Sequence, residues 1–201
     1  MNAMVRQALA GLRLLLVATV LLGIGYPMAV WGISRVPGLA AHAEGSQVVV
    51  DGRVVGSSLI GIDPVAADAA RDPFFHTRPS ASAEGSLGPG DPATSGGSNR
   101  GGFNDDLLAA VQERRTAIAA REGVAPDAVP ADAVTASASG VDPHISPDYA
   151  RLQAPRVAKV TGLPLAEVHR LVADCERGGL LAPRTVNVTT LNVAVHDARF
   201  R

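Results

Sequence analysis

Cysteine is nearly absent: Cys175 stands alone among 201 residues. No intrachain disulfide can form, so any folded domain must rest on its apolar core. Aromatic residues are 3% of the chain, too few for base stacking or a large aromatic pocket. Neither sign of charge is in excess. The formal net charge is −1, and the basic footprint of a nucleic-acid-binding protein is missing. None of the histidines has a second histidine or a cysteine at ligand spacing, so the sequence encodes no structural metal site. There is no internal repeat and no G-x-S-x-G, which removes the usual elbow of a serine hydrolase.

Against these absences stands one long apolar run, Leu14 to Ser34, without a single charge. At about 1.5 Å rise per residue it can cross a hydrocarbon core about 30 Å thick. Arg6 and Arg13 precede it with no acid among them, and only Arg35 follows closely. The positive-inside bias puts the N-terminus in the cytoplasm. Three segments follow: a cytoplasmic tip at 1–13, a transmembrane helix at 14–34 and an extracytoplasmic domain at 35–201. A cleaved signal peptide is the rival, because Ala41-His42-Ala43 matches an A-x-A site. The run outlasts a usual signal-peptide core, and Trp31 suits an outer interface anchor. Pro27 should bend the helix by freeing the carbonyl of Gly23. Gly25, Ala29 and Gly32 share one face, where small side chains let a neighbouring helix approach.

Beyond a linker at 36–45, Asp51-Gly52 between two valine runs predicts a hairpin of Gln47–Val50 with Arg53–Ser57. Residues 63–71 read as a loop with one helical turn. The stretch Phe74 to Ala81 reads as a loop that anchors the core, with a ligand site as the alternative. Residues 85–102 are rich in Gly, Ser and Pro, and no Lys-Ser or Lys-Thr closes them as a phosphate loop would need. Asn104 caps a helix to Glu122, with Leu107, Leu108, Val111 and Ile118 as its buried stripe and Gly123 at its end. Residues 133–137 read as a short strand.

Thr135 to Pro147 concentrates Ser137, Ser139, Asp142, His144 and Ser146. A Ser-His-Asp triad is one reading. The other is a hydrogen-bonded turn leading into a helix capped by Ser146, because triad members must converge from separate elements. That helix should kink or break at Pro155 and stop at Gly162. Pro164 opens another, with Val168, Leu171, Val172 and Cys175 inward and Gly178-Gly179 at its end. Residues 184–188 read as a strand, and 191–195 as a second strand or a terminal helical turn. The fold class is thus α+β, a small sheet with several helices on one transmembrane helix.

Taken together the motifs resemble one family. Tyr26-Pro27, Asp51-Gly52, Val54-Val55-Gly56-Ser57, Leu59-Ile60-Gly61, Phe75-His76, Arg78-Pro79-Ser80-Ala81 and Ser95 to Asn99 come in its order. Thr135 to Pro147, Gln153 to Ala158, Val186-Asn187-Val188 and Leu191-Asn192 complete the series. The chain resembles the KdpC family, the small C subunits of the bacterial Kdp potassium-transporting P-type ATPase. Ile62 stands where the family often has Gln, Val141 where Leu is common, and Pro164 where a capping Ser is common. Residues 63–71 form a longer segment than usual.

The resemblance implies an accessory subunit in the cell membrane, not an enzyme. Its partners would be a channel-like potassium-binding subunit and an ATP-hydrolysing P-type subunit. It implies a role in assembly, and a catalytic-chaperone role that raises ATP affinity in the hydrolysing subunit. ATP and potassium enter at the level of the complex. Arg78, Ser98, Asn99, Ser139, Asp142, His144, Gln153 and Arg156 become candidate partner contacts, beside Gly25, Ala29 and Gly32 of the span. The rivals are a membrane-anchored serine hydrolase built on Ser139, His144 and a distant Asp, and a free-standing solute-binding domain.

Overall fold

The proline in the apolar run sets the local geometry around it. The computed structural model describes residues 2–200, in two compact units, Met1–Ser46 and Gln47–Arg201. In the first unit, helix α1 (Ala3–Val20) passes through a π-helical turn (Leu21–Gly25) into α2 (Tyr26–Ser34). Pro27 has no N–H to donate, and the ladder widens one turn ahead of it rather than breaking. The 32-residue stretch Ala3–Ser34 is long and apolar enough to cross a membrane. The helix begins before the apolar run, since the residues ahead of it are mostly good helix formers. At its far end the Arg35 guanidinium sits 5.5 Å from the Trp31 ring and pairs with Glu44 at 2.6 Å. A short helix α3 (Ala40–Ala43) occupies the expected linker.

The second unit opens with the hairpin the sequence predicts, β1 (Gln47–Val50) against β2 (Arg53–Ser57). Asp51 and Gly52 both have positive φ, 50° and 76°, as a two-residue turn between right-twisted strands requires. A long irregular segment follows, broken only by a 3₁₀ turn (Ala69–Arg71). It is pinned by Phe75, which is fully buried. Helix α4 (Asp105–Glu122) starts on Asn104, whose side chain accepts from Leu107 N–H, and ends on left-handed Gly123. The expected stripe shifts, however. Leu108 is 70% exposed, while Arg114, Ile118 and Ala119 are buried, because the core reaches only the C-terminal half of α4.

Residues 131–134 form a short helix, α5 (Ala131–Val134), where a strand was expected. Pro130 sets up the entry, and the alanines prefer helix. The strand lies further on, as β3 (His144–Ile145). Ser146 then caps α6 (Pro147–Thr161), accepting from Tyr149 N–H. This helix runs through Pro155 without a break, ending on left-handed Gly162. Pro155 and Arg151 both lie on its exposed face, where water can replace the donor that the Arg151 carbonyl loses. Helix α7 (Leu165–Cys175) buries Val168, Leu171 and Val172. It stops before the glycine pair, at β4 (Glu176–Arg177), and Gly178 and Gly179 make the return turn at φ 94° and 138°.

Strand β5 (Thr185–Asn187) lies between β3 and β4, antiparallel to both. Its last residue caps α8 (Val188–Arg199), the side chain of Asn187 accepting from Thr190 N–H. A full helix therefore stands where a strand or a single turn was expected. Val188, Leu191 and Val195 form its buried stripe. The core joins Phe75, Ile118, Ile145, Tyr149, Val157, Val168, Val172, Val186 and Leu191. Helices on a small antiparallel sheet, with a hairpin beside α8, make the domain α+β.

Candidate functional site

The loop at 135–143 is held by backbone from four distant parts of the chain. Ser137 N–H donates to Pro79 C=O at 2.9 Å, and Gly96 N–H to Ser139 C=O at 2.8 Å. Gly61 N–H donates to Val141 C=O at 2.6 Å, and Val188 N–H to Pro143 C=O at 2.8 Å. The approach at Gly61 leaves no room for a side chain: a Cβ there would lie 2.6 Å from Pro143 backbone. Inside the loop, the Ser137 hydroxyl accepts from Gly140 N–H at 3.0 Å and Asp142 N–H at 3.3 Å. A turn so clasped has one shape, and its polar side chains are presented from a fixed frame.

Those side chains line a cleft of about 410 Å³ with Leu59 and Arg78. Arg78 Nη2 donates to Asp142 Oδ2 at 2.6 Å. Asp142 Oδ1 accepts from His144 N–H at 2.9 Å and lies 3.0 Å from His144 Nδ1. Burial would raise the Asp142 carboxyl. The His144 backbone N–H, Arg78 and the His144 ring outweigh it and hold the group below the usual carboxylate range. The Arg78 and Asp142 side chains are 22% and 29% exposed, so the pair can meet another surface.

The serine-hydrolase geometry does not form. Ser139 Oγ lies 3.2 Å from Ser137 Oγ and accepts from Val141 N–H at 3.3 Å. His144 Nε2 faces Asn187 Nδ2 at 3.4 Å, not a serine. Burial also pushes the Cys175 thiol up, though Arg177 opposes it, away from the thiolate a nucleophile needs. Among the described residues no three His, Cys, Asp or Glu converge on a point fit for a metal ion.

The other expected contact residues separate into three groups. Ser98 and Asn99 are exposed, directly after Gly96 and Gly97, which lie against Ser139 and Ala138. Gly25, Ala29 and Gly32 lie exposed on the long helix. Gln153 is fully buried and has no surface to offer another chain. Its Oε1 accepts from His76 N–H at 2.8 Å and its Nε2 donates to His76 C=O at 3.2 Å. Arg156, 11% exposed at its side chain, is likewise turned inward. It grips Glu122 at 3.0 Å and 3.2 Å and the Asp72 carbonyl at 2.8 Å.

Two features escaped the motifs. The first is the buried ionic cluster around His76, where Asp63, Asp72 and Glu122 face His76, Arg121 and Arg156. Only its tertiary arrangement reveals it, because the residues are scattered along the chain. The second is an apolar groove of about 330 Å³ between the hairpin and α8, walled by residues such as Val55, Ile60, Ile62, Phe74 and Val193. The close approach of Gly56 to Thr189 seats the hairpin there. Of its walls, Val55, Ile60 and Ile62 are exposed apolar side chains.

Comparison with known proteins now decides the lineage. The family model for the K+-transporting ATPase, c chain, KdpC, matches residues 8–197. The chain belongs to the KdpC family. It is similar to the potassium-transporting ATPase KdpC subunit of Kineococcus radiotolerans, with 48% identity across 97% of this chain and 95% of that one. The KdpC subunit of Mycobacterium tuberculosis is 45% identical across 94% of this chain and 97% of its own. That of Polaromonas naphthalenivorans is 45% identical across 97% and 95%. The KdpC match runs from within α1 to within α8, and so takes in the span, the clasped loop and the ionic cluster alike.

Proposed function

We propose that the chain is the single-pass accessory subunit of a potassium-transporting ATPase, with its N-terminus cytoplasmic and residues 35–201 outside. Its partners are the channel-like potassium-binding subunit and the ATP-hydrolysing P-type subunit. The observation that carries the docking role is the partly exposed Arg78–Asp142 pair, whose Asp142 sits on a loop clasped by four backbone contacts. A pre-shaped polar surface loses little freedom on binding. Arg78, Ser98, Asn99, Ser139, Asp142 and His144 form the outer contact, and Gly25, Ala29 and Gly32 the contact within the membrane. Any rise in ATP affinity of the hydrolysing subunit then reaches the cytosolic site as a coupling between distant sites, since this domain lies on the other side.

The test is recovery of the complex from detergent-solubilised membranes carrying a tagged full-length chain. Wild type should bring down both partners, and Arg78→Ala should bring down much less. Equal recovery would overturn the docking face. Protease added outside intact spheroplasts should digest residues 47–200. Complete protection would reverse the orientation.

A further inference from the structure

The ionic cluster under the cleft carries a second reading, which rests on the docking face just proposed. The side chains of His76, Asp63 and Asp72 are 7%, 8% and 9% exposed. Asp72 Oδ2 lies 2.6 Å from His76 Nε2, and both Asp63 oxygens lie 3.1 Å from Nδ1. A neutral imidazole has one N–H and can serve one of these acids only. The carboxylates are already acceptors elsewhere. Asp63 Oδ1 accepts from Thr77 N–H at 2.8 Å, and Asp72 Oδ1 from Phe74 N–H at 3.0 Å. With both carboxylates ionised, each takes a donor from the ring, and both ring nitrogens then carry protons.

We propose that His76 is held as an imidazolium between Asp63 and Asp72, and that this buried cation is the positioning residue that fixes Arg78 in the docking cleft. The imidazolium ties together two arms of the irregular segment. One arm carries Asp63, two residues from Gly61, whose N–H holds Val141. The other carries Arg78 itself and Pro79, whose carbonyl holds Ser137. Without the second proton, one carboxylate loses its imidazole donor and keeps only its bond to the Thr77 or Phe74 N–H, and the tie between the arms beside the clasped loop weakens.

The charged and titratable groups packed around the cluster are few. From α6 come Arg156 beside Asp72 and Tyr149, with the neutral Gln153 amide on the His76 backbone. From α4 come Arg121, which opposes the imidazolium, and Glu122, which is shared between Arg121 and Arg156. Burial also opposes the imidazolium charge, but Asp63 and Asp72 prevail and raise the His76 pKa above its ordinary value. Its stabilising contribution is therefore complete below the ordinary histidine pKa and is lost as pH rises through the raised one. Tyr149 does not share that window, because burial pushes its hydroxyl up to about 12 although Arg121 opposes it.

The experiment is nitrogen NMR of the full chain in detergent micelles with 15N-histidine, titrated towards alkaline pH. His76→Gln assigns the signal. His76 should keep two matched, protonated nitrogens to higher pH than an ordinary histidine. Two unlike nitrogens at His76 as soon as an ordinary histidine has turned neutral would overturn the imidazolium. Should His76→Gln not fold, Asp63→Asn serves, and it should shift the His76 titration to lower pH; an unmoved midpoint overturns the clamp. The positioning role is read in the assembled complex. Wild-type recovery of partners should fall several-fold on the alkaline side, and His76→Gln should be weak and flat across the same range. An imidazolium seen by NMR beside pH-independent, wild-type-like recovery in His76→Gln overturns the positioning role. Arg78→Ala without effect overturns the docking face instead, so the two failures are distinguishable.

Discussion

The side chain of Asn192 is bonded at both ends to the backbone of Phe75: Oδ1 accepts from the N–H at 2.8 Å, and Nδ2 donates to the carbonyl at 2.9 Å. Gln153 does the same for the next residue, His76. Two amides thus treat an isolated extended segment as a neighbouring strand would, and satisfy backbone that a buried loop would otherwise leave unpaired. This explains how Phe75 can enter the core from a segment with no sheet of its own.

Removing either amide should cost stability more than its size implies. Gln153→Met keeps volume and leaves the His76 N–H and C=O buried and unpaired, at roughly 1–3 kcal/mol. Asn192→Leu should cost a similar amount, and the double variant should fall short of the sum because both act on one segment. Denaturant unfolding of the full chain in micelles measures this. A loss under about 0.5 kcal/mol for either, the range of ordinary surface changes, would sink the account.

Local chemistry explains which parts of the fold were legible in the sequence. Asp51-Gly52, Asn104, Gly123, Ser146 and Gly162 each act on their own neighbours, and each does in the structure what its residue type requires. The misread elements depend on context. Pro155 is tolerated on the exposed face of α6, where water can satisfy the orphaned Arg151 carbonyl. Helix α8 was hidden because its cap, Asn187, is also the last residue of a strand. The site was legible to the extent that it is one stretch: Ser137, Ser139, Asp142 and His144 lie together in the chain and in the cleft. Gln153 and Arg156 belong to the same run of motifs, yet helix periodicity turns them inward, which motif order cannot reveal.

The cleft itself predicts an order among its variants. Ser139→Ala should be mild, because one neutral hydrogen bond is worth about 0.5–1.5 kcal/mol. Asp142→Ala should be worse, since it strips Arg78, the His144 N–H and the His144 ring of one shared acceptor. The readout is potassium-stimulated ATPase per assembled complex. Asp142→Ala should lower the amount of complex and leave turnover per complex near wild type. Full assembly with poor turnover would place the loop in coupling, not docking.

Acid should weaken the folded domain through Asp72 and Asp142. Burial raises each carboxyl, but His76 and the Phe74 N–H prevail at Asp72, and the His144 N–H and Arg78 at Asp142, so both are depressed. A depressed carboxyl contributes stability above its ordinary pKa, and the contribution is lost as pH falls through the depressed one. Thermal midpoints of the full chain should therefore drop on acidification from about pH 5 downward. Asp142→Asn should remove part of that slope, and an unchanged slope would exclude Asp142 as a source.

The span offers a sharper test than sequence alone could frame, because the structure shows what a larger side chain at Gly25 would meet within its own helix. A Cβ there comes no closer than 3.6 Å to Val20 O, an ordinary contact, and at Gly32 it meets nothing. Gly25→Leu should thus leave the helix intact and act only through a neighbouring helix that packs on the small-residue face. The variant should insert normally and lose partner subunits on purification, whereas Leu21→Ile should not. Pro27→Ala separates the face from the π-helical turn, since it returns the missing N–H and lets the ladder close at Gly23. If Pro27→Ala lowers recovery and Gly25→Leu does not, the partner reads the turn, and the small-residue face is wrong. If both variants assemble like wild type, the span serves only as an anchor, and all of the partner contact lies in the domain that follows it.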